Sequence, residues 1–229
     1  MTAAMAFEQW WQLQGEWVEA PNRRRGGESG VQRLLLEEGR VLYAKRQVGH
    51  SYRSLRYPFG RPTVLRERDA LLALGRIGVK APNVLYCAAQ KDPRGAWRGL
   101  LVSEELSGFQ EIQRWYAEGG RERFGAQAND LLLEQVAQML ARFHRAGWQH
   151  GCLYQKHVFV RVEQVGERIE VETALLDLEK SRRRFSRGQA ARHDMLQLKR
   201  HSSWAAGDWD RLVYFYQQAF GSAIKGLQS

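Results

Sequence analysis

Cysteine is scarce in this sequence, and the positions of the two cysteines exclude several kinds of site. Cys87 and Cys152 lie far apart in the 229 residues, and neither belongs to a Cys-x-x-Cys pair. The sequence therefore has no zinc or dithiol redox motif and no disulfide framework of the secreted type. With 44% hydrophobic and 26% charged residues, the chain is expected to fold around an apolar core rather than stay disordered.

Long apolar runs are also missing. No stretch approaches about eighteen consecutive apolar residues, so we expect no transmembrane helix. The N-terminal stretch MTAAMAFEQWWQLQGEW has acidic residues and tryptophans where a signal peptide would have an unbroken apolar core. Internal repeats and low-complexity linkers are absent as well. These absences predict a cytoplasmic protein with one large domain, or with two small lobes that share a cleft.

Acidic residues are outnumbered, 25 against 35 lysines and arginines, which gives a net charge of +10. This charge favours an anionic partner, such as nucleic acid, a phospholipid surface or a phosphorylated substrate. Solubility alone is the simpler reading of any one basic patch. Many of the arginines are clustered, at Arg23–Arg25 and at Arg182, Arg183, Arg184, Arg187 and Arg192.

Hydrophobic periodicity and turn residues predict an α+β protein with a β-rich first part and a mostly helical second part. The predicted order of the first part is a glycine-rich loop in RRRGGESG, a hairpin at 31–36 and 41–47, an irregular connection in SYRSLRYPFGRP, a helix at 63–75 ended by Gly75 and Gly78, and strands in 81–90 and 97–106. The second part is predicted to contain a long helix at 129–148, a hairpin at 157–163 and 168–179, and helices from about 190. Asn129 or Asp130 is predicted to cap the long helix, and Gly147 to end it. We predict the boundary between the two parts near residues 104–108, which gives domains 1–106 and 107–229.

The first part carries candidate residues for binding ATP. Lys45, in VLYAKRQ, matches the strand lysine that holds ATP phosphates in kinases, and Glu67 on the next helix is its candidate partner. A solvated lysine and a surface glutamate are the plainer alternatives. The candidate glycine loop departs in spacing from the G-x-G-x-x-G pattern, and the apolar strand 100–106 resembles the hinge that meets adenine through its backbone. The remaining ATP-binding candidates are Gly26, Gly27, Gly30, Glu104 and Glu105.

The second part contains AGWQHGCLYQKHVFV, which resembles a kinase catalytic loop with one substitution. His150 stands where His-x-Asp begins, and His157 follows seven residues later at the position of a metal ligand. The position of the expected aspartate holds Cys152. A histidine alone is usually a packed or surface residue, but this spacing after a long helix favours the loop.

Asp177 ends the apolar run ALLDLE, where a carboxylate next to four apolar residues is costly to bury without a partner. A magnesium ion would supply one, and an ordinary turn aspartate is the alternative. Asp194, on a later helix, is a candidate brace for the backbone of the catalytic loop, or else a helix cap.

Together, Lys45, QKHVFV, LLDLEKS and RHDMLQLKRHS make the chain resemble the lipopolysaccharide core kinase family of the Kdo/WaaP type, which includes InaA-like proteins. The resemblance covers most of the chain. It implies a two-lobed protein-kinase-like fold, with ATP and Mg²⁺ as cofactors. It also implies that a sugar hydroxyl of the lipopolysaccharide inner core, with heptose expected, accepts the phosphoryl group. Family heptose kinases carry a similar H-x-D-x-Y-x-x-H loop, so Cys152 is the departure.

A thiol with an ordinary pKa of about 8.5 is mostly neutral at pH 7 and accepts a proton poorly. Losing a positioned base typically costs about 10²–10⁴-fold in rate, although phosphoryl transfer is largely dissociative and does not strictly need one. Glu179 is a candidate substitute. Two hypotheses follow: a sugar kinase that works without the aspartate, and a pseudokinase that uses the same fold for binding or regulation.

The arginine clusters fit either hypothesis, since lipopolysaccharide core and inner-leaflet lipids are anionic. We expect Arg182, Arg183, Arg184 and Arg187 to hold the acceptor or the inner face of the inner membrane. A nucleic-acid binder is a third reading that depends only on charge and eight tryptophans. Because no nucleic-acid recognition motif supports it, we expect no nucleic-acid partner.

Overall fold

The computed structural model describes residues 6–24 and 27–227, and the chain divides into two compact units. The first unit runs to Leu72 and takes up again at Pro82–Glu105, while the second contains Ala73–Ala81 and the chain from Leu106 onward. A single division between residues 106 and 107 did not anticipate the placement of Ala73–Ala81. That segment belongs with the second unit because the Lys80 carbonyl accepts a hydrogen bond from the Leu175 N–H at 3.0 Å.

The first unit contains a six-stranded antiparallel sheet of order β1-β3-β4-β8-β7, with β2 paired to β3. Its elements are α1 (Phe7–Gln12), β1 (Glu16–Trp17), β2 (Asn22–Arg24), β3 (Gly27–Leu35), β4 (Val41–Val48), β5 (Ser51–Ser54), β6 (Tyr57–Pro62), α2 (Thr63–Arg76), β7 (Val84–Lys91) and β8 (Trp97–Glu104). The predicted hairpin, helix and strand pair are therefore present, with helix α2 one residue longer than expected.

The two faces of this sheet pack against different helices because side chains alternate along each strand. One face joins Leu42 and Ala44 of β4 to Leu100 and Val102 of β8 in an apolar cluster that Phe7 of α1 completes. On the other face, α2 lies so close to β8 that a Cβ at Gly99 would come within 2.6 Å of the Val64 side chain. Lys45, between Leu42–Ala44 and the end of β4, belongs to this second face.

The predicted glycine-rich loop is wrong for the glycines that the structure describes, and Gly26 lies outside the described residues. Gly27 and Gly30 belong to β3, which pairs with both β2 and β4. A Cβ at Gly27 would lie 2.7 Å from the Val48 carbonyl oxygen, and one at Gly30 would lie 2.6 Å from the Trp17 ring. These glycines are required by close approaches inside the protein, which the sequence could not reveal.

The expected irregular connection after β4 is also wrong, since Ser51–Ser54 and Tyr57–Pro62 pair as a separate antiparallel hairpin. The stretch holds Tyr52, Tyr57 and Phe59, which favour strands. Pro58 and Pro62 obscured this pattern, because proline is tolerated only at strand edges and ends. No helix in the described ranges is both long and apolar enough to cross a membrane.

The second unit combines helices with short sheets. Its elements are β9 (Gln110–Glu111), α3 (Ile112–Ala117), α4 (Gly120–Arg145), β10 (Trp148–Gln149), β11 (Val158–Val165), β12 (Arg168–Leu175), β13 (Arg182–Arg183), α5 (Arg187–Arg200) and α6 (Ala206–Phe220). Strands β12, β11 and β9 form one sheet, and β10 pairs with β13. The predicted hairpin β11–β12 is confirmed, and the α+β class with a β-rich first part and a largely helical second part is confirmed as well.

Helix α4 begins earlier than predicted and is interrupted at Gly125, whose φ and ψ are 82° and 175°. Asn129 is not a cap but a buried residue inside the helix. Its side-chain oxygen accepts a hydrogen bond from the Tyr116 hydroxyl at 2.7 Å, and its amide donates to Asp208 at 3.1 Å. An asparagine followed by an aspartate favours a helix start, but here tertiary hydrogen bonds explain the asparagine.

Replacing Gly27 by alanine should destabilise the first unit. The added Cβ meets the Val48 carbonyl oxygen at 2.7 Å, and relief of this overlap should lower the free energy of unfolding by about 1–3 kcal/mol. Urea denaturation measures the change. Gly75→Ala is the matched control, because a Cβ there meets nothing within 4 Å, and stability should stay equal or rise by about 0.5–1 kcal/mol. Wild-type stability in Gly27→Ala would contradict the assignment.

Candidate active site

In the first unit, Lys45 and Glu67 form a largely buried ion pair. Lys45 Nζ lies 2.7 Å from Glu67 Oε2, and the two side chains are only 14% and 8% exposed. The pairing predicted from the sequence is present because Lys45 lies on the face of β4 that α2 covers. Removing one member of such a pair strands a buried charge, so the pair fixes the lysine ammonium in place. Its role toward ATP phosphates stays a prediction.

Glu104 ends strand β8 and Glu105 follows it, but their backbone N–H groups already have partners within the first unit. The Glu104 N–H donates to the Asn83 carbonyl at 2.9 Å, and the Glu105 N–H donates to the Val41 carbonyl at 3.4 Å. The hydrogen bond from Asn83, followed by that from Arg40, lowers the pKa of the Glu104 carboxyl group. A hinge at this strand end would have to meet adenine through other backbone groups.

In the second unit, the catalytic-loop-like segment is held by one buried carboxylate. Asp194 lies in the middle of α5 and is fully buried. Its oxygens accept hydrogen bonds from the backbone N–H of His150 at 2.5 Å and of Gly151 at 3.0 Å. This is the bracing role predicted for Asp194, and the alternative of a helix cap is excluded by its position within the helix.

A buried histidine extends this bracing into the helical core. His144 Nε2 lies 3.2 Å from the Asp194 carboxylate, and His144 Nδ1 lies 2.8 Å from the Tyr216 hydroxyl. Burial alone would raise the pKa of Asp194, but the hydrogen bond and charge of His144 and the loop N–H groups hold it below its usual value. His144 and Tyr216 were not among the residues predicted from the sequence, because ARFHRAG gives no sign that its histidine faces an aspartate fifty residues away.

His150 has an interior position that differs from the predicted catalytic one. The side chain is fully buried, and its Nε2 donates to the Leu176 carbonyl at 2.9 Å. Nδ1 has no hydrogen-bond partner among the residues that the structure describes. Burial lowers the pKa of this imidazole, so the ring is neutral near pH 7. His150 therefore ties the loop to the chain just before Asp177, and a direct part of its side chain in catalysis stays a prediction.

His157 faces Asp177 with one ring nitrogen and is oriented by the other. Its Nδ1 lies 2.7 Å from the Cys152 carbonyl oxygen, which only a donating N–H can satisfy. Burial lowers the pKa of His157 to about 4, so the ring is neutral and Nε2 carries a lone pair. That lone pair lies 3.5 Å from Asp177 Oδ2. His157 Nε2 and Asp177 Oδ2 could therefore both act as ligands of one cation.

The backbone at Asp177 supports this arrangement. Its φ is 54° and its ψ is 58°, and it is the one non-glycine residue with positive φ in the described ranges. This left-handed region is uncommon outside glycine but is visited by aspartate. The conformation ends strand β12 and directs the chain into a short turn at Leu178–Lys180, in which Glu179 is half-buried. At 43% exposure, the Asp177 side chain remains accessible to a ligand.

Cys152 occupies a nearly buried position beside two polar side chains. The residue is 8% exposed, and the Lys180 ammonium lies 3.8 Å from its sulfur. A hydrogen bond with Cys152 raises the pKa of the Tyr154 hydroxyl. Lys180 is a neighbour that the sequence analysis did not single out. Its position in LLDLEK, three residues after Asp177, was the available signal.

In the arginine cluster after Asp177, the backbone is hydrogen-bonded to the rest of the second unit, while the side chains are exposed to solvent. Strand β13 pairs Arg182 with Gln149 and Arg183 with Trp148, and the Arg184 N–H donates to the Gly147 carbonyl at 2.8 Å. The side chains of Arg182, Arg183, Arg184 and Arg187 are exposed. The catalytic-loop segment and this basic segment are thus hydrogen-bonded neighbours.

Comparisons with known proteins agree with these features. The sequence matches the model of the lipopolysaccharide kinase (Kdo/WaaP) family over residues 8–216. It is 40% identical over 211 residues to protein InaA of Escherichia coli (strain K12), an alignment that covers 92% of this chain and 94% of that protein. The fold is similar to WaaP, solved in complex with acyl carrier protein, with a TM-score of 0.69, 20% identity, and coverage of 93% of this chain and 82% of that one. This structural likeness concerns the fold and supports its kinase-like class.

Acid should destabilise the protein in part through His157. Its folded pKa of about 4 lies below the unfolded value of about 6.5, so the unfolded chain binds more protons between these pH values and stability falls as pH decreases. His157→Gln should remove up to roughly 3 kcal/mol of this pH dependence, while buried His150 retains its own share. Urea denaturation at pH 7 and pH 4.5 measures it. An identical pH dependence in the variant would show that His157 does not stay neutral.

Proposed function

Because the chain belongs to the lipopolysaccharide kinase (Kdo/WaaP) family, we propose that it transfers the γ-phosphoryl group of ATP to a hydroxyl group of the lipopolysaccharide inner core, with a heptose as the sugar. The observation that carries this proposal is the pair of His157 Nε2 and Asp177 Oδ2, 3.5 Å apart. The pair offers a neutral nitrogen and a carboxylate to a cation, as a phosphotransferase needs.

The donor atoms fit a divalent cation of the Mg²⁺ class only in part. The Asp177 carboxylate is the hard oxygen ligand that Mg²⁺ prefers, while an imidazole nitrogen is more usual with softer ions. The Cys152 carbonyl orients the His157 ring, as outer partners do for metal-binding histidines. A bound cation would neutralise charge on the ATP phosphates during transfer. We propose that Lys45, held by Glu67, contacts ATP phosphates.

The residues of the loop do the positioning work in this proposal. Asp194 fixes the backbone of His150 and Gly151, and that backbone sets the direction of the side chain at 152. Since phosphoryl transfer is largely dissociative, orientation and charge stabilisation supply most of the rate, and a base adds less. The Cys152 thiol orients the acceptor hydroxyl poorly compared with a carboxylate. We therefore propose a slow kinase rather than an inactive one.

The acceptor and its location follow from charge. The exposed arginines 182, 183, 184 and 187 form a basic strip whose backbone is paired to the segment just before the loop. Guanidinium groups suit phosphate and carboxylate groups, which the lipopolysaccharide core carries. We propose that this strip holds the core at the cytoplasmic face of the inner membrane, with the protein bound peripherally.

A pseudokinase is the second candidate, and one observation favours it: the residue at the aspartate position is a nearly buried cysteine. In that case the site would bind nucleotide or core sugar without transferring phosphate. The bracing by Asp194 and the His157–Asp177 pair would then serve binding alone.

Transfer of labelled γ-phosphate from Mg-ATP to core-truncated lipopolysaccharide tests the proposal. We expect label in the sugar with the wild-type protein and at least about a hundredfold less with Asp177→Ala, because the metal-binding carboxylate is lost. Asp130→Ala is the control, since Asp130 forms only an exposed ion pair with Arg211, and it should retain wild-type transfer. No label at high enzyme concentration and long times would favour the pseudokinase for this acceptor.

Restoring a carboxylate at the loop should increase the rate. We expect Cys152→Asp to raise the transfer rate by about tenfold or more, because a positioned base contributes about 10²–10⁴-fold. Cys152→Asn is the matched control, since asparagine has the shape of aspartate without its basicity, and it should not exceed the wild type. Equal rates in the two variants would mean that the acceptor hydroxyl does not meet the side chain at position 152.

A further inference from the structure

The hairpin β5–β6 of the first unit projects two apolar side chains into solvent. Leu55 is 104% exposed and Phe59 is 96% exposed, so neither packs against the protein. The hairpin forms a sheet of its own, outside the six-stranded sheet. Single exposed apolar residues are common, but two almost fully exposed large ones on one short hairpin, Leu55 in its turn and Phe59 in β6, are a candidate contact surface.

The basic charge of the segment that contains the hairpin indicates an anionic partner. Between Ser51 and Arg66 the sequence has four arginines, at 53, 56, 61 and 66, and no acidic residue. Arg53 and Arg56 flank Leu55 and are exposed. We call Arg53, Leu55, Arg56 and Phe59 the hairpin tip. An apolar tip with basic residues beside it complements a surface that is apolar within and anionic outside.

The base of the hairpin is held, so the tip has a defined shape. Arg61 forms an ion pair with Asp69 at 2.8 Å and donates to the Tyr52 hydroxyl at 3.3 Å. The Arg61 guanidinium also lies 4.8 Å from the centre of the Tyr57 ring, and that of Arg66 lies 4.2 Å from the Tyr52 ring. Two of the four arginines thus fix the hairpin to helix α2 and its own rings. Of the other two, Arg56 lies with its guanidinium 5.6 Å from the centre of the Tyr57 ring, and both Arg53 and Arg56 are exposed to solvent.

We propose that the hairpin tip anchors the protein to an anionic phospholipid bilayer, with Leu55 and Phe59 inserted among the acyl chains near the headgroups and Arg53 and Arg56 bound to lipid phosphates. Insertion removes apolar side-chain surface from water, and arginines near an anionic membrane add favourable charge interactions. A bilayer accepts protruding side chains without a matching groove. A protein partner would need one, together with roughly 800 Å² of surface on each side, which two side chains do not supply.

The proposed acceptor is a lipid-anchored sugar, so the role of membrane anchoring in catalysis rests on the proposed function. Binding of the hairpin tip to a bilayer does not depend on that function, because it needs neither ATP nor lipopolysaccharide. Sedimentation of the full chain with vesicles of phosphatidylcholine alone, or mixed with phosphatidylglycerol, therefore measures it independently.

The wild type should sediment with the mixed vesicles and much less with phosphatidylcholine alone. Leu55→Ser/Phe59→Ser should lower the partition coefficient by at least about tenfold, and Arg53→Gln/Arg56→Gln should lower it by about tenfold on anionic vesicles and weaken the preference for anionic lipid. The matched controls are Val165→Ser, at an apolar residue that is 51% exposed on another hairpin, and Arg94→Gln/Arg168→Gln, at exposed arginines elsewhere. Both controls should bind as the wild type does.

Wild-type binding in either tip variant would overturn the proposal. Sedimentation of the wild type no greater than without vesicles would also overturn it and would favour a protein partner for the tip. Because the altered side chains are exposed, the variants should keep the wild-type thermal unfolding midpoint. A second arm compares phosphoryl transfer to vesicle-embedded lipopolysaccharide and to soluble deacylated core. The apolar tip variant should be slower only on the embedded acceptor, and no transfer to either acceptor by the wild type would count against the kinase alone.

Discussion

The candidate site depends on one buried carboxylate, that of Asp194. A buried charge is tolerated only when hydrogen bonds compensate for the water that it has lost, and Asp194 receives them from His144 and from the backbone of His150 and Gly151. The same bonds that keep the carboxylate ionised fix the loop to helix α5. Removing one partner of a buried charge typically lowers the free energy of unfolding by about 3–5 kcal/mol. The hydrogen bonds of Asp194 therefore determine both the position of the loop and the stability of the second unit.

Short hydrogen bonds from the loop that Asp194 holds position the other residues of the second-unit site. His150 reaches the Leu176 carbonyl, which is adjacent to Asp177, and the Cys152 carbonyl sets the tautomer of His157. The rings of His150 and His157 stack with their centres 5.5 Å apart. The backbone at Cys152 is therefore part of the scaffold, and its side chain is nearly buried beside Lys180. The hydrogen bonds that Asp194 and His157 make to the loop go to backbone atoms, so they do not depend on which side chain stands at position 152.

The sequence predicted most of the elements and the residues of the His157–Asp177 pair, because periodicity, loop spacing and family resemblance are local signals. It predicted Lys45 with Glu67 for the same reason. It failed where tertiary contacts decide: Gly27 lies in a strand because the Val48 carbonyl approaches it, and Asn129 lies inside a helix because Asp208 and Tyr116 hydrogen-bond to it. Those contacts join residues that no sequence window contains together. His144 escaped notice for the same reason, since its partners Asp194 and Tyr216 lie far away in the sequence.

The kinase and pseudokinase readings both require the Asp177 side chain to bind a ligand. A residue that merely ended strand β12 would not need an uncommon left-handed backbone, nor a neutral imidazole directed at its carboxylate. The ring of His157 is held in the one tautomer that presents a lone pair, and burial keeps it from protonating, which would otherwise satisfy both groups with a simple ion pair. A neutral imidazole beside the Asp177 carboxylate is compatible with the proposed cation site. This arrangement supports the proposal that the second unit binds a metal–phosphate ligand, and Cys152 is the departure from the family loop that the proposal has to accommodate.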